Sequence, residues 1–257
     1  MPYLSSTAGS GDNIRYCTEW MEHDNVEFGN TVTSLVAAWY RGRSLKKIEF
    51  GNWTGANCNI TALNSAFEQC NTIEKIDLSQ WDTTNWKVGS IASMFSSCFN
   101  MKICIVPFNT INWGSGAGRT LAMNSTWYNC HTVEELNLNS WNMTGINVTA
   151  INSCWQNCYH LKSLNVKNWN TSLWSIPSLY YTWGNCRLLV DIDLSNWNTT
   201  NWKPTRWDGC FYSNENRRHF EDIKNWNTSG WKIKESNDVF AHCRRVQEIN
   251  LLNYDTS

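Results

Sequence analysis

Seven cysteines stand at one recurring place in this chain: Cys70, Cys98, Cys130, Cys158, Cys186, Cys210 and Cys243. Regularly spaced thiols could bind a metal, form bridges or serve as nucleophiles, and spacing tests each. Zinc sites need close cysteine pairs or Cys/His clusters. The nearest case, Cys154 and Cys158, is separated by three residues and reads as two positions on one helical face. Stacked neighbours about 5 Å apart could bridge, but seven in one column cannot all pair, and eleven in the chain leave one over. His23, His131, His160, His219 and His242 are scattered, and no nucleophile–base–acid order can be written from them. Gly114-Ser-Gly-Ala-Gly118 is followed by Arg119, without the Lys-Ser/Thr of a phosphate loop. The expected role is a ladder of small, buried, reduced thiols packing as minor hydrophobes. No cofactor, no metal and no catalytic residue is expected.

Aromatic residues give the second set. One column is Trp53, Trp81, Phe108, Trp141, Trp169, Trp197, Trp226 and Tyr254, with spacings of 28, 27, 33, 28, 28, 29 and 28. A second, five residues later, holds Trp86, Trp113, Trp174, Trp202 and Trp231. Two readings stand side by side. The rings stack between neighbouring units, or the second column forms a partly exposed strip that holds a sugar or a protein, since exposed aromatics mark binding surfaces. The second column is the candidate recognition surface.

A fixed period near 28 residues is the mark of a solenoid. The unit is legible at Phe67-Glu-Gln-Cys-Asn-Thr-Ile-Glu-Lys-Ile-Asp-Leu-Ser-Gln-Trp81-Asp-Thr-Thr-Asn-Trp86. Ile76-x-Leu78, Leu136-x-Leu138, Leu164-x-Val166, Ile192-x-Leu194 and Ile249-x-Leu251 alternate with polar residues, which predicts strands of three or four residues. The Asn, Asp, Thr and Ser after the aromatic predict a turn, because these side chains bond their own backbone. Ile91, Met94, Phe95 and Cys98 fall at helical spacing, which predicts a short helix. The expected fold is an α/β solenoid, leucine-rich-repeat-like, of about eight coils of about 28 residues: short strand, polar turn, short helix. No coil buries its apolar face alone, and stacking makes one continuous core.

Residues 1–30 do not fit the repeat and are expected to be an N-terminal cap or docking segment, with 31–257 the solenoid. The third unit carries Gly114–Gly118 as a bulging loop. The seventh is expected to hold a charged insertion at Asn214-Glu-Asn-Arg-Arg-His219. The last coil ends at Ser257 without a visible cap, which implies cover by a continuation or another chain. Lys plus Arg number 21 and Asp plus Glu 22, with no basic run, so no nucleic-acid partner is expected. No stretch approaches the roughly 20 apolar residues of a membrane span, and the N-terminus has no secretory pattern.

Residues 67–85 and 183–201 resemble the BspA-like leucine-rich repeat, a repeat of bacterial surface lipoproteins also catalogued as a domain of unknown function, with similar repeats in phage proteins. The resemblance covers about residues 31–257. Two departures stand out: the family repeat is a few residues shorter, and its Asn-Val-Thr step is often x-Trp here, as at Trp86 and Trp174. It implies a surface-displayed, non-catalytic protein and offers no catalytic residues. The expected function is structural and recognitional, as a virion component such as a phage head decoration, fibre or tail-associated protein. Unpaired cysteines and the open C-terminal coil favour that setting. The alternatives are a bacterial cell-surface adhesin for a glycan or host protein, and an intracellular protein-binding scaffold. Partners would be other structural proteins, or copies of the chain meeting through the N-terminal segment and the last coil.

Overall fold

The computed structural model describes residues 32–46, 48, 50, 54–114 and 117–249. The expected cap at 1–30, the columnar Trp53 and Tyr254, and the C-terminal end lie outside them, as do Ser115 and Gly116 of the glycine-rich loop. Gly114 and Arg119 of that loop both take positive φ, and the Arg119 guanidinium donates to the Trp113 carbonyl at 2.9 and 3.0 Å.

The alternating segments form short parallel strands stacked coil on coil. They are β1 (Lys75–Asp77), β2 (Ile103–Ile105), β4 (Glu135–Asn137), β6 (Ser163–Asn165) and β7 (Asp191–Ile192). β1 pairs with β2, and β4–β6–β7 form one parallel sheet in register Leu136↔Leu164↔Ile192. The middle residue of β1, β4 and β6 is buried and its neighbours face outward, which is what period two requires. A second ladder runs along another face. It contains β3 (Thr120–Ala122) paired with β5 (Asn147–Ala150), and the bridges Ser34↔Ala62, Ser90↔Ala122, Ser178↔Arg206 and Arg206↔Glu235.

The polar turns form as their side chains dictate. Asp82, Asn142, Asn170 and Asn198 each accept a hydrogen bond at 3.0–3.1 Å from the N–H two residues on. The first Thr of each pair turns inward instead. Thr83, Thr171 and Thr199 are buried and donate to carbonyls of the next coil.

The expected helix is corrected. Among the described residues there is no α-helix; one 3-10 turn occurs at Glu221–Ile223. The segment before each ladder cysteine is a ribbon of two consecutive tight turns. Two residues four apart take positive φ in every copy: Ser65 and Gln69, Ser93 and Ser97, Ser125 and Asn129, Ser153 and Asn157, Tyr181 and Asn185. The donors then alternate. Ala66, Glu68 and Cys70 donate three residues back at 3.1–3.2 Å, while Ser65, Phe67 and Gln69 donate to the next coil at 2.8–2.9 Å. A helix would spend every donor inside its own coil. The ribbon sends half of them along the solenoid axis, and each such bond nets about 1 kcal/mol. That offsets the cost of left-handed residues, which Ser and Asn lower. Two four-residue turns also point i, i+3, i+4 and i+7 inward, so the helical pattern was degenerate.

Three aromatic columns fill the interior. Trp39, Phe67, Phe95, Trp127, Trp155, Trp183, Phe211 and Phe240 stack with centroids 4.6–6.0 Å apart and planes within 26°. Trp141, Trp169 and Trp197 form the second, each donating its indole N–H to a carbonyl of the preceding coil. The third holds Trp174 and Trp202, stacked at 6.0 Å.

Candidate binding groove

The outward positions of the strand face are polar on four strands. β1 shows Lys75 and Asp77, β4 Glu135 and Asn137, β6 Ser163 and Asn165, and β7 Asp191. On β2 they are Ile103 and Ile105, which remain 48% and 38% exposed. The strand ladder also breaks there. Among the described residues no backbone hydrogen bond joins β2 to β4, and the two belong to separate sheets.

The cause is local sequence. Ten positions separate Cys98 from Phe108, whereas eleven separate Cys130 from Trp141, so the arc after β2 is one residue short. Pro107 sits in that arc and has no N–H to give a ladder. Cys104 takes the inward place that Ile76 and Leu136 fill in the adjoining strands, and is smaller. The other bonds between these coils are those the repeat makes elsewhere and do not replace the ladder: Trp141 Nε1 donates to the Val106 carbonyl at 2.7 Å, Thr132 Oγ1 to the Phe99 carbonyl at 3.1 Å, and the ribbon N–H groups of Phe95 and Ser97 to the Thr126 and Tyr128 carbonyls.

The result is a groove of about 790 Å³ between β2 and β4. Ile103, Ile105 and Pro107 give its apolar side, and Glu135, Asn137 and Asn139 its polar side. Lys102 is tied to Glu74 at 3.1 Å and Glu134 to Lys162 at 2.6 Å, while Glu135 has no ion-pair partner among the described residues. The groove therefore combines aliphatic surface, unused strand edges and one open carboxylate. Its nearest nucleophile is inert. Burial pushes the Cys104 thiol up to about 12, against a smaller opposing effect from its hydrogen bond with Trp127, and a protonated thiol does not attack.

The sequence-predicted sites lie elsewhere. Trp86, Trp113, Trp174 and Trp202 are 0% exposed and Trp231 is 8% exposed. As a recognition strip the column is corrected: the turn ahead of each ring folds it into the core, where it meets the first column. Cys70, Cys98, Cys130, Cys158, Cys186 and Cys243 do share one position, each donating its Sγ–H to a carbonyl of the preceding coil at 3.0–3.2 Å. Cys210 does not belong to that ladder. Its place is taken by Asn214, whose Nδ2 donates to the Trp183 carbonyl at 2.8 Å. Cys210 lies four residues earlier, the counterpart of Cys154. The expected charged insertion shrinks accordingly: Asn214 and Arg217 are buried, and Arg217 pairs with Asp222. Burial holds the ladder thiols protonated, with Cys70 and Cys186 pushed to about 12. The described cysteines are unbridged, and the described residues hold no cluster of metal-ligating side chains. No described helix is long and apolar enough to cross a membrane.

Sequence reading missed the groove. Its signal was present: in Ile103-Cys-Ile-Val-Pro107 the outward positions are apolar where β1, β4, β6 and β7 carry charged or polar residues.

The sequence profile of a family described as "Mycoplasma protein of unknown function, DUF285" matches residues 29–115 and 121–254. No curated protein matches. Among solved structures, the chain is similar to a TLR13–ssRNA13 complex, with 13% identity over 88% of this chain and 35% of that one, at a TM-score of 0.32. It is also similar to an LRR protein of Leptospira interrogans, with 10% identity over 77% of this chain and 60% of that one, at a TM-score of 0.31. The chain thus spans about a third and three fifths of these two proteins.

Proposed function

The chain belongs to the DUF285 family, and on that premise we propose that it is a non-enzymatic, leucine-rich-repeat-type recognition protein whose β2–β4 groove takes an extended polypeptide segment. One observation carries the reading: the strand ladder is interrupted where two outward isoleucines replace polar residues. Two half-exposed isoleucines beside unused strand edges suit a partner that runs extended along a strand. Such a segment presents apolar side chains at i and i+2 to Ile103 and Ile105, and a basic residue to Glu135. Covering the two isoleucines contributes about 1 kcal/mol each, so the contact is of modest affinity. For the setting, the unbridged cysteines support folding in a reducing compartment. That favours the virion component over the bacterial-surface adhesin.

The test is selection of peptides from a random displayed library against the whole chain. Enriched peptides should share the apolar–x–apolar pattern with a basic neighbour and protect backbone amides at 102–106 and 134–140 from exchange. Ile103→Lys should weaken them about tenfold, as loss of one buried aliphatic contact implies. Leu173→Lys, at an exposed apolar site away from the groove, should leave them unchanged. Equal binding by wild type and Ile103→Lys would sink the assignment.

A further inference from the structure

A second departure from the repeat lies on the turn-ribbon face, away from the groove. The first left-handed position of the ribbon is Ser65, Ser93, Ser125 and Ser153 in successive coils, and then Tyr181. Tyr181 has φ +46°, a conformation that is costly for a bulky side chain. Its backbone is held there from both sides: its N–H donates to the Asp208 carbonyl at 2.9 Å, and its carbonyl accepts from the Gly184 N–H at 3.1 Å.

Two glycines occur where the ring lies. A Cβ on Gly209 would fall 2.4–2.6 Å from Cζ, Cε2 and Cε1 of Tyr181, and one on Gly184 would fall 2.5 Å from Cδ1. Other coils carry Tyr40, Glu68, Ser96, Tyr128, Gln156, Tyr212 or Ala241 at the Gly184 position, and Gly209 stands at Tyr181's own position one coil on, where the rest carry Ala37, four serines and Asp238. Three linked changes therefore lay one aromatic ring across bare backbone. The turn does not call for this, because Tyr181 is half-buried and outside the core cluster, and small residues satisfy the same turn in the other coils: Ala37, Ser65, Ser93, Ser125, Ser153 and Asp238. Strain held at one surface residue points to function.

The surroundings describe the ligand. Tyr180 stands edge-on to the ring at 4.8 Å and Tyr212 is 5.8 Å away, tilted by 50°. Tyr180 is already covered by the Arg206 guanidinium at 4.3 Å, which also binds Asp208 and Glu235. With Tyr180 so engaged, Tyr181 is a flat wall with polar groups at its rim, not three rings enclosing a sphere. Arg206 is met by both Asp208 and Glu235, and Asp208 and Asp238 both act electrostatically on Tyr181, so these groups sum to a net negative charge, which disfavours an anionic ligand. A disc-shaped, uncharged molecule with an apolar face and peripheral hydroxyls fits both features.

We propose that Tyr181, laid across Gly184 and Gly209, is the stacking platform of a carbohydrate site that takes a neutral pyranose. The test is an array of neutral hexose and N-acetylhexosamine oligosaccharides probed with the whole chain, followed by saturation-transfer NMR on whatever is held. Tyr181→Ser installs the residue that four other coils carry. It should reduce binding at least about tenfold, the loss expected when a stacking ring is removed, while Tm stays level or rises as the strain is released. Tyr181→Phe should retain binding within about threefold, since the ring face remains. Gly209→Ser, with the serine common at that position, should displace the ring and lose binding in a folded protein. Absence of any neutral glycan on the wild type, or equal binding by Tyr181→Ser, would overturn the proposal. So would capture of trimethyllysine peptides or choline in place of sugars, which would make the ring a cation site.

Discussion

Trp174→Ala separates the buried column from the exposed strip most sharply. Trp174 is 0% exposed. Its ring meets Trp197 at 5.3 Å, Trp169 at 5.7 Å and Trp202 at 6.0 Å. Truncating a buried Trp costs about 3–5 kcal/mol, and three ring pairs at about 0.5–1.5 kcal/mol each place this site at or above the top of that range. Domains of this size hold about 5–15 kcal/mol in all, so the variant should lose a third of its stability or more. An exposed Trp in a strip would cost within about 0.5 kcal/mol. Trp174→Phe should fare far better, at below about 1.5 kcal/mol. It keeps a ring in the stack and removes an indole N–H that is buried without an acceptor, a group that costs about 1–3 kcal/mol where it stands. Urea unfolding followed by far-UV circular dichroism reads these differences, and a cycle with Trp202→Leu should show coupling of about 0.5–1.5 kcal/mol. Loss of under about 1 kcal/mol for Trp174→Ala would refute the buried column and restore the strip.

Two further outcomes follow from the ribbon and the thiols. Gln69→Gly should be neutral or stabilising by about 0.5–1 kcal/mol, because Gln69 sits at φ +63° and glycine relieves that strain. A helix would instead lose about 1 kcal/mol, so the sign of the change in thermal unfolding decides between them. Alkali should weaken the fold. The thiols of Cys70, Cys104 and Cys186 rise from an ordinary value near 9 to about 12, so between those values the unfolded chain releases protons that the folded chain keeps. Their stabilisation is complete below pH 9 and is lost towards pH 12, at about 1.4 kcal/mol per thiol by pH 10. Replacing the three by Ala should flatten the decline measured from pH 8 to 10.5. An unchanged slope would place the titration elsewhere.

Much of the architecture was legible because the repeat copies one another. Ile76, Leu136 and Leu164 alternate with polar neighbours, and period two has one structural meaning. The Asx turns at Asn142, Asn170 and Asn198 were legible because their chemistry is local. The ribbon was not, since apolar residues at Ile91, Met94, Phe95 and Cys98 fit one helix face and two tandem turns equally. What separates them is the left-handed backbone at Ser93 and Ser97 and the donors sent to the next coil, and neither is written in a hydrophobic pattern. The second Trp column misled for a related reason. A polar turn such as Asn170-Thr171-Ser172 suggests a solvated neighbourhood, yet Thr171 and Trp174 both point inward from it. Cys210 was misplaced because residue type outweighed spacing: Asn214 is the positional match, and an amide N–H serves the Trp183 carbonyl as the thiols serve theirs.

A solenoid supplies its own controls, since each position has been filled several times under nearly the same constraints. A departure that keeps the lost interaction by other means is structural, and Asn214 is of that kind. A departure that gives up an interaction without replacing it needs another explanation. At β2 the short arc and Pro107 forgo a backbone ladder that β1–β2 and β4–β6–β7 keep, and the outward isoleucines gain nothing from the fold. At Tyr181 the chain places a bulky ring on a left-handed backbone that small residues occupy in the other coils, serine in four of them. The two sites lie on different faces and are built differently, one from an unused strand edge and one from a half-buried ring, so they suit different ligands. Loss of peptide binding in Ile103→Lys should therefore leave glycan binding intact, and Tyr181→Ser should do the reverse. Parallel loss of both activities in either variant would mean that a single repacking of the solenoid, and not two sites, underlies the departures.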